Sequence, residues 1–424
     1  MTNLIKRGSQ VLSPVLGRYM TLEVKSGKGS YLYGTDGKAY LDFASGIAVA
    51  STGHCHPKVV NAIKKQAETL LHACIGIAYY EPPVELAEEL EKRLGAGLNS
   101  VFFSQSGSEA VEACMKLAKY VTHKTKLLAF TGGFHGRTMG ALSVTTSKNK
   151  YLKGYDPLLQ GVMFFPYPYC YRCPWKKERS SCAMHCVSEL EMYFKTIPAD
   201  TAAALIEPIL GEGGYTPAPH QFLKRLKELC GQKDMLLIFD EVQSGVGRAG
   251  YWGYFQACSV KPDILALAKG LGSGLPIGAC VSTRKIMAGW SPGAHGGTFG
   301  GNPVSCSAGV ATLKVLDKYV LKLVSLGETV VKELKTTLAD HPYIGDIRGS
   351  GLMIGLELVT NKQSKEPNPD MAKAVIKKAL EKGLIVISCG LFDNVIRVIP
   401  PLIITQKDLK KGLDILAAII HDYH

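Results

Sequence analysis

The feature that most constrains the fold of this chain is a rhythm of short apolar runs separated by longer amphipathic stretches. Ser100 to Phe103, Lys126 to Phe130, Ala202 to Glu207, Met235 to Asp240 and Ile264 to Ala268 have the length and texture of buried strands. Between them, Val111, Cys114, Leu117, Ala118 and Val121 recur at helical spacing in Ser108 to Val121. Pro82-Pro83 opens a helix with Leu86, Leu90 and Leu94 on one face, and Gly95 stops it. This alternation predicts an α/β fold, a mainly parallel central sheet with crossover helices.

After Asn302-Pro303 the texture changes. A long helical stretch runs towards Leu338, followed by a Gly-rich strand region (Arg348 to Leu358), a polar loop and a helix ending at Gly383. Strands Leu384 to Ser388 and Val395 to Ile399 come next. The last helix starts at a Thr405-x-x-Asp408 cap and buries Leu409, Leu413, Leu416 and Ile420. The expectation is a smaller, discontinuous α+β domain, joined by the extended N-terminal segment Val24 to Phe43. Residues 1–60 and 311–424 would form it, and residues 61–310 the large domain, with a Cys-rich insertion at 166–187.

Composition removes several classes of function. Apolar residues make up 46% of the 424 residues and charged residues 20%, which excludes a disordered or fibrous chain. No apolar run approaches the roughly 18 residues of a membrane span. The polar start, Met1 to Gln10, carries no export signal, so a cytoplasmic location is expected. The net charge of +13 is spread over scattered pairs such as Lys64-Lys65 and Lys410-Lys411. Without a basic block or interleaved aromatics, that charge fits solvated helix faces and an anionic small-molecule site rather than nucleic acid. Most of the twelve cysteines, such as Cys114, Cys258, Cys280 and Cys306, sit singly in apolar stretches, as reduced buried thiols do.

Four features carry chemistry. Met235 to Gln243 is an apolar strand delivering Asp240 and Glu241 to its carboxyl end, where open α/β sheets bind ligands; a helix-capping acid is the competing explanation. Lys269 follows five apolar residues and precedes a glycine-rich loop. Burial there would lower its pKa and leave an amine able to condense with an aldehyde, unless it merely snorkels at a strand end. Ser104 to Ala110 runs small residues into a helix start, so backbone N–H groups near Ser106, Gly107 and Ser108 can face an anion. Gly132 to Thr138 offers Phe134 and His135 beside a planar group and Arg137 for a carboxylate. An aldehyde-capturing amine, a carboxylate for a ring nitrogen, a phosphate cup and a stacking ring together equip a pyridoxal 5'-phosphate site.

Asp240-Glu-Val-Gln-Ser-Gly, Ala-Lys269-Gly, Gly-His54-x-His56-Pro, Ser-Gly-x-Glu109-Ala, Phe134-His-Gly-Arg and Thr298-x-Gly-Gly-Asn-Pro occur in order over nearly the whole chain. In them the chain resembles the class III aminotransferases. The resemblance implies the fold-type I architecture and a homodimer with shared active sites, which can pair further into tetramers. It also implies that Lys269 binds the cofactor, Asp240 meets the pyridine nitrogen and Gln243 the ring hydroxyl. Ser106, Gly107 and Ser108 would hold the phosphate with Thr298 of a second subunit, and Phe134 and His135 would lie against the ring.

Within the family the chain most resembles the 4-aminobutyrate branch. Arg137 matches the arginine that grips a distal carboxylate, and Arg397 the one that receives the α-carboxylate of glutamate. Glu212 matches the acid that covers Arg397 when an ω-amino acid binds. Ile47 stands where ornithine-type enzymes carry a tyrosine. The implied reaction moves the amino group of an ω-amino acid to 2-oxoglutarate by a ping-pong route. The same fold also serves amino-acid racemases or epimerases and ornithine- or acetylornithine-type aminotransferases. The insertion, shared with a subgroup that includes racemases, leaves the outcome open between them. Its Cys170-x-x-Cys173 and Cys182-x-x-x-Cys186 have zinc-like spacing, but a packed or disulfide-linked lobe explains the same residues, and no metal ligand is assigned.

Overall fold

The computed structural model describes residues 3–423. Its centre is a seven-stranded sheet in the order Ser100–Ser104, Gly278–Ser282, Ile264–Leu267, Leu236–Asp240, Thr201–Ile206, Lys126–Phe130, Val162–Phe165. Gly278–Ser282 runs antiparallel to both neighbours; the other adjacent pairs are parallel. Helices on both faces bury the middle strands completely, which is why their sequences read as unbroken apolar runs rather than alternating ones.

The sheet's register positions the site. Asp240 pairs with Ala266, and Phe239 with Ile206, so these neighbouring parallel strands end level. The residues just past their ends, Glu207, Asp240 and Lys269, therefore emerge side by side at the carboxyl edge. The Gly107–Thr122 helix leaves the same edge, with Ser106 as its N-cap. The Glu81–Leu94 helix buries Leu86, Leu90 and Leu94 as the spacing requires, each contributing roughly 1.5–3 kcal/mol of burial. It ends at Gly95, whose φ of 60° suits glycine.

The expected long helix towards Leu338 is two helices, Pro303–Leu316 and Val320–Thr337. The first is buried nearly all round and the second on one face only, so the chain must leave the interior between them. The apolar run Leu384 to Ser388 is likewise divided. Leu384–Ile385 pairs in parallel with Leu41–Asp42, whereas Ile387–Cys389 joins Val395–Val398 in an antiparallel sheet with Met353–Leu358 and Ile344–Ser350. Each half of the run satisfies a different sheet. The terminal Gln406–His421 helix carries the Thr405 cap, whose hydroxyl accepts from the Asp408 N–H at 3.0 Å. Among the described residues, no helix is long and apolar enough to cross a membrane.

Candidate active site

At the carboxyl edge of the sheet lies a cavity of about 340 Å³. Its walls include Lys269, Asp240, Gln243, Ser106, Gly107, Ser108, Phe134 and His135, together with Glu207 and Val242. Eight residues singled out from scattered motifs thus share one wall.

The two acids after the Leu236–Asp240 strand divide their work. Asp240 faces the cavity, where one carboxylate oxygen lies 2.7 Å from His135 Nδ1 and the other accepts from the Val242 N–H at 3.0 Å. Glu241 turns away and accepts from the backbone N–H groups of Tyr254 and Phe255. Glu241 thus caps the start of the short Phe255–Cys258 helix, while Asp240 both faces the cavity and holds the turn that follows its strand. Burial works against an imidazolium at His135, yet the hydrogen bond and charge of Asp240, with Glu207 behind, raise its pKa.

Glu207 accepts from the Phe134 N–H at 2.8 Å and the Gly211 N–H at 3.0 Å, tying together two loops of the cavity. Burial and the nearby Asp240 push its pKa up to about 7. Sequence reasoning did not single it out as functional. The signal was available, because Glu207 follows a fully apolar strand just as Asp240 ends one.

Enclosure by the cavity walls lowers the pKa of Lys269, against the opposing charges of Glu212, Asp240 and Glu207. Its φ of 40° lies in the left-handed region, an uncommon conformation for a side-chain-bearing residue and one that marks functional positions. Beneath, the start of the Gly107–Thr122 helix presents N–H groups with the positive end of the helix dipole. A Cβ at Gly107 would come within 2.8 Å of Val242 Cγ1, so only glycine lets the two walls approach this closely.

Glu212 and Arg397 form a bidentate pair, with Nη1 donating at 2.7 Å and Nη2 at 2.5 Å. Arg397 is fully buried, its Nε donates to the Ser388 carbonyl at 3.1 Å, and its guanidinium lies 5.6 Å from the Tyr215 ring centre. Burial opposes both charges. The partner's charge and hydrogen bonds win, lowering the Glu212 pKa and raising that of Arg397. Tyr215 also donates to Gln243 Oε1 at 2.7 Å, connecting this pair to the cavity.

Besides Glu212 and Arg397, three expected residues lie off the cavity wall. Arg137 is exposed, its guanidinium 4.5 Å from the Tyr151 ring centre and 5.9 Å from that of Phe134. Ile47 is half-buried against Tyr215 and its neighbours, with a φ of 65° that a β-branched side chain rarely adopts. Thr298 is exposed, outside the cavity of its own chain.

The family model for class-III aminotransferases matches residues 13–420. The chain belongs to that family. It is 38% identical to the 5-aminovalerate aminotransferase of Pseudomonas aeruginosa, covering 98% of this chain and 97% of that one. It is 37% identical to the alanine/serine racemase of Pyrococcus horikoshii (99% and 90%) and 35% to the 4-aminobutyrate aminotransferase of Escherichia coli (98% and 97%). Among solved structures, a pyridoxal-phosphate-bound amine transaminase from an uncultivated Pseudomonas species superposes with a TM-score of 0.89 at 29% identity, over 97% and 96% of the two chains.

The family's fold is the fold-type I transaminase architecture and its cofactor is pyridoxal phosphate, so this class III chain is a pyridoxal-phosphate-dependent aminotransferase. The residues present fit that cofactor. A buried amine suits its aldehyde, the Asp240 carboxylate suits a protonated ring nitrogen, and a helix start closed down by Gly107 suits its phosphate.

Proposed function

We propose that this enzyme transfers the amino group of an ω-amino acid of the 4-aminobutyrate kind to 2-oxoglutarate by a ping-pong cycle, releasing a semialdehyde and glutamate. The carrying observation is the bidentate Glu212–Arg397 pair, fully desolvated at Arg397 and within electrostatic reach of Lys269. An ω-amino acid has no carboxylate beside its amine, so the pair stays closed when it binds. Glutamate and 2-oxoglutarate do have one, and Glu212 must swing aside to give it Arg397. The names of the 5-aminovalerate and 4-aminobutyrate relatives support the same substrate class.

When bound, pyridoxal phosphate supplies an aldehyde on an electron-withdrawing ring. Lys269 would hold it covalently, Asp240 would keep its ring nitrogen protonated, and Gln243 would meet its ring hydroxyl. Ser106, Gly107 and Ser108 would grip its phosphate, while Phe134 and His135 would confine the ring. Freed when substrate binds, the Lys269 amine would take the proton from the substrate's amine-bearing carbon; burial favours its neutral form, which that step requires. Arg137, at the mouth, would bind the distal carboxylate. Arg137→Ala is expected to lower kcat/KM for both 4-aminobutyrate and 2-oxoglutarate by roughly 10- to 100-fold, the loss of one charge-assisted contact. Single-turnover rates equal to wild type would reject that role.

The active enzyme is a homodimer in this reading, with Thr298 of a second copy completing each phosphate site. Its face is marked by Phe299, packed on His72 with ring centres 5.3 Å apart, beside the exposed Leu71, Ile77 and Tyr79. The Leu384–Ile385 pairing with Leu41–Asp42 supports a small domain built from both chain ends. Free thiols buried through the core suit a reducing cytoplasm. Mixing Lys269→Ala with Thr298→Ala chains under subunit exchange should recover about a quarter of wild-type activity, since half the dimers would be mixed and each would hold one intact site. If mixing recovers nothing above the separate variants, the sites are not shared.

A second reading comes from the alanine/serine racemase relative. A racemase turns over enantiopure alanine repeatedly with no oxo acid present, whereas the aminotransferase stops after one equivalent of enzyme has reacted. Polarimetry separates the two.

A further inference from the structure

The Cys-rich insertion takes no part in the cavity or in the Glu212–Arg397 pair. Cys170, Cys173, Cys182 and Cys186 nevertheless all line one small void of about 20 Å³, at the start of the His185–Thr196 helix. All four are free, half-buried thiols. Cys186 lies within electrostatic reach of the other three, and Cys170 within reach of Cys173 and Cys182. Among the described residues, the contacts these sulfurs make to backbone carbonyls are long, Cys170 to Pro168 at 4.0 Å and Cys182 to Arg179 at 3.7 Å.

We propose that these four cysteines form a tetrathiolate site for a structural zinc ion. Cys-x2-Cys followed by Cys-x3-Cys, converging from a loop and a helix start, is the arrangement by which a short lobe surrounds a metal. His185 also borders the void, but its Nε2 lies 3.1 Å from Glu189 and its ring is edge-on to Trp175, so the four sulfurs make the donor set. Charge points the same way. A zinc tetrathiolate carries a net charge of about −2, and Lys177 and Arg179 border the void. No three His, Cys, Asp or Glu side chains among the described residues converge closely enough to clasp an ion as they stand. Zinc binding displaces the four thiol protons and draws the sulfurs in to roughly 2.3 Å from the metal.

The lobe has a structural consequence beyond itself. Tyr169 and Arg172 both hydrogen-bond the fully buried Glu357. Arg348 bonds Glu357 at 2.6 Å, the Tyr169 hydroxyl at 2.6 Å and the Gly214 carbonyl at 2.6 Å, two residues beyond Glu212. A metal-stapled insertion therefore braces the loop that presents Glu212.

The test uses holoenzyme purified under thiol reductant from zinc-supplemented cells. Elemental analysis is expected to find about one zinc per chain. Blocking thiols with a mercurial should release it to a chromogenic chelator. A Cys173→Ser/Cys186→Ser double variant should hold less than about a tenth of that zinc while keeping its bound cofactor absorbance. Wild-type protein that contains no stoichiometric zinc and takes none up after reduction overturns the proposal. So does a double variant that retains the metal, or disulfides among these cysteines in protein isolated with alkylated thiols. The wild-type measurement stands even if the variant fails to fold.

Discussion

Lys269→Ala is expected to cut steady-state transamination by roughly 10³-fold or more, the largest effect of any single substitution in this chain. The side chain stands on the cavity wall between the ends of neighbouring strands, beside Asp240 and Glu207. Enclosure holds its pKa down, so a neutral amine is available both to bind an aldehyde and to move a proton. Alanine removes both functions and leaves the helix start at Gly107 and the Asp240–His135 pair intact. The variant should therefore still bind pyridoxal phosphate, but reversibly. Borohydride followed by peptide mass analysis would no longer fix the cofactor to the 269 segment, whereas in wild type it would. A small primary amine added in solution should restore part of the lost rate by entering the space left behind. A variant that transaminates at the wild-type rate would remove the foundation of the proposed mechanism.

How much of this could be read from residues alone depended on whether the determining interaction was local. The central strands are buried on both faces and continuously apolar, and the Gly107–Thr122 helix has a serine cap and one apolar face, so both were legible. Asp240 and Lys269 were legible because a charge ending an apolar run needs a reason to be there. The break after Leu316 was not, since apolar residues continue through it and only the change from all-round to one-sided burial marks it. The division of Leu384 to Ser388 was hidden for a related reason: strand pairing is decided by partners more than 300 residues earlier, at Leu41 and Asp42. Glu207 was as legible in position as Asp240, a charge directly after an apolar run, but its task, accepting N–H groups from Phe134 and Gly211, is a contact that no spacing rule displays. The shared void of the four cysteines belongs in the same class. Their spacing suggested a lobe, but its convergence is a tertiary fact.

Glu212→Ala should separate the two half-reactions. In wild type the buried Arg397 guanidinium donates two hydrogen bonds to one carboxylate, whose charge neutralises it. Removing that carboxylate strands a desolvated charge, at a cost of about 3–5 kcal/mol. With 4-aminobutyrate nothing replaces it, so the donor half-reaction is expected to slow by roughly 10²–10⁴-fold, the kinetic equivalent of that energy. Glutamate brings its own α-carboxylate to Arg397, and its half-reaction should fall far less. Single-turnover rates measured separately with each donor test this directly. The folded protein should report the same defect. Burial tends to raise the Glu212 pKa, but Arg397 overcomes it and holds it below the usual glutamate range. A carboxyl with a depressed folded pKa contributes stability above its unfolded pKa and loses it as pH falls through the folded one. The stability gap between wild type and Glu212→Ala should therefore be constant around neutral pH and close in acid below about pH 4.5. At neutral pH, glutamate or 2-oxoglutarate should raise the thermal midpoint of the variant more than that of wild type, because in the variant the ligand repairs an unpaired charge instead of displacing a bound one. Equal slowing with both donors, together with equal ligand stabilisation, would reduce Glu212–Arg397 to a structural ion pair and remove the switch on which dual substrate recognition rests.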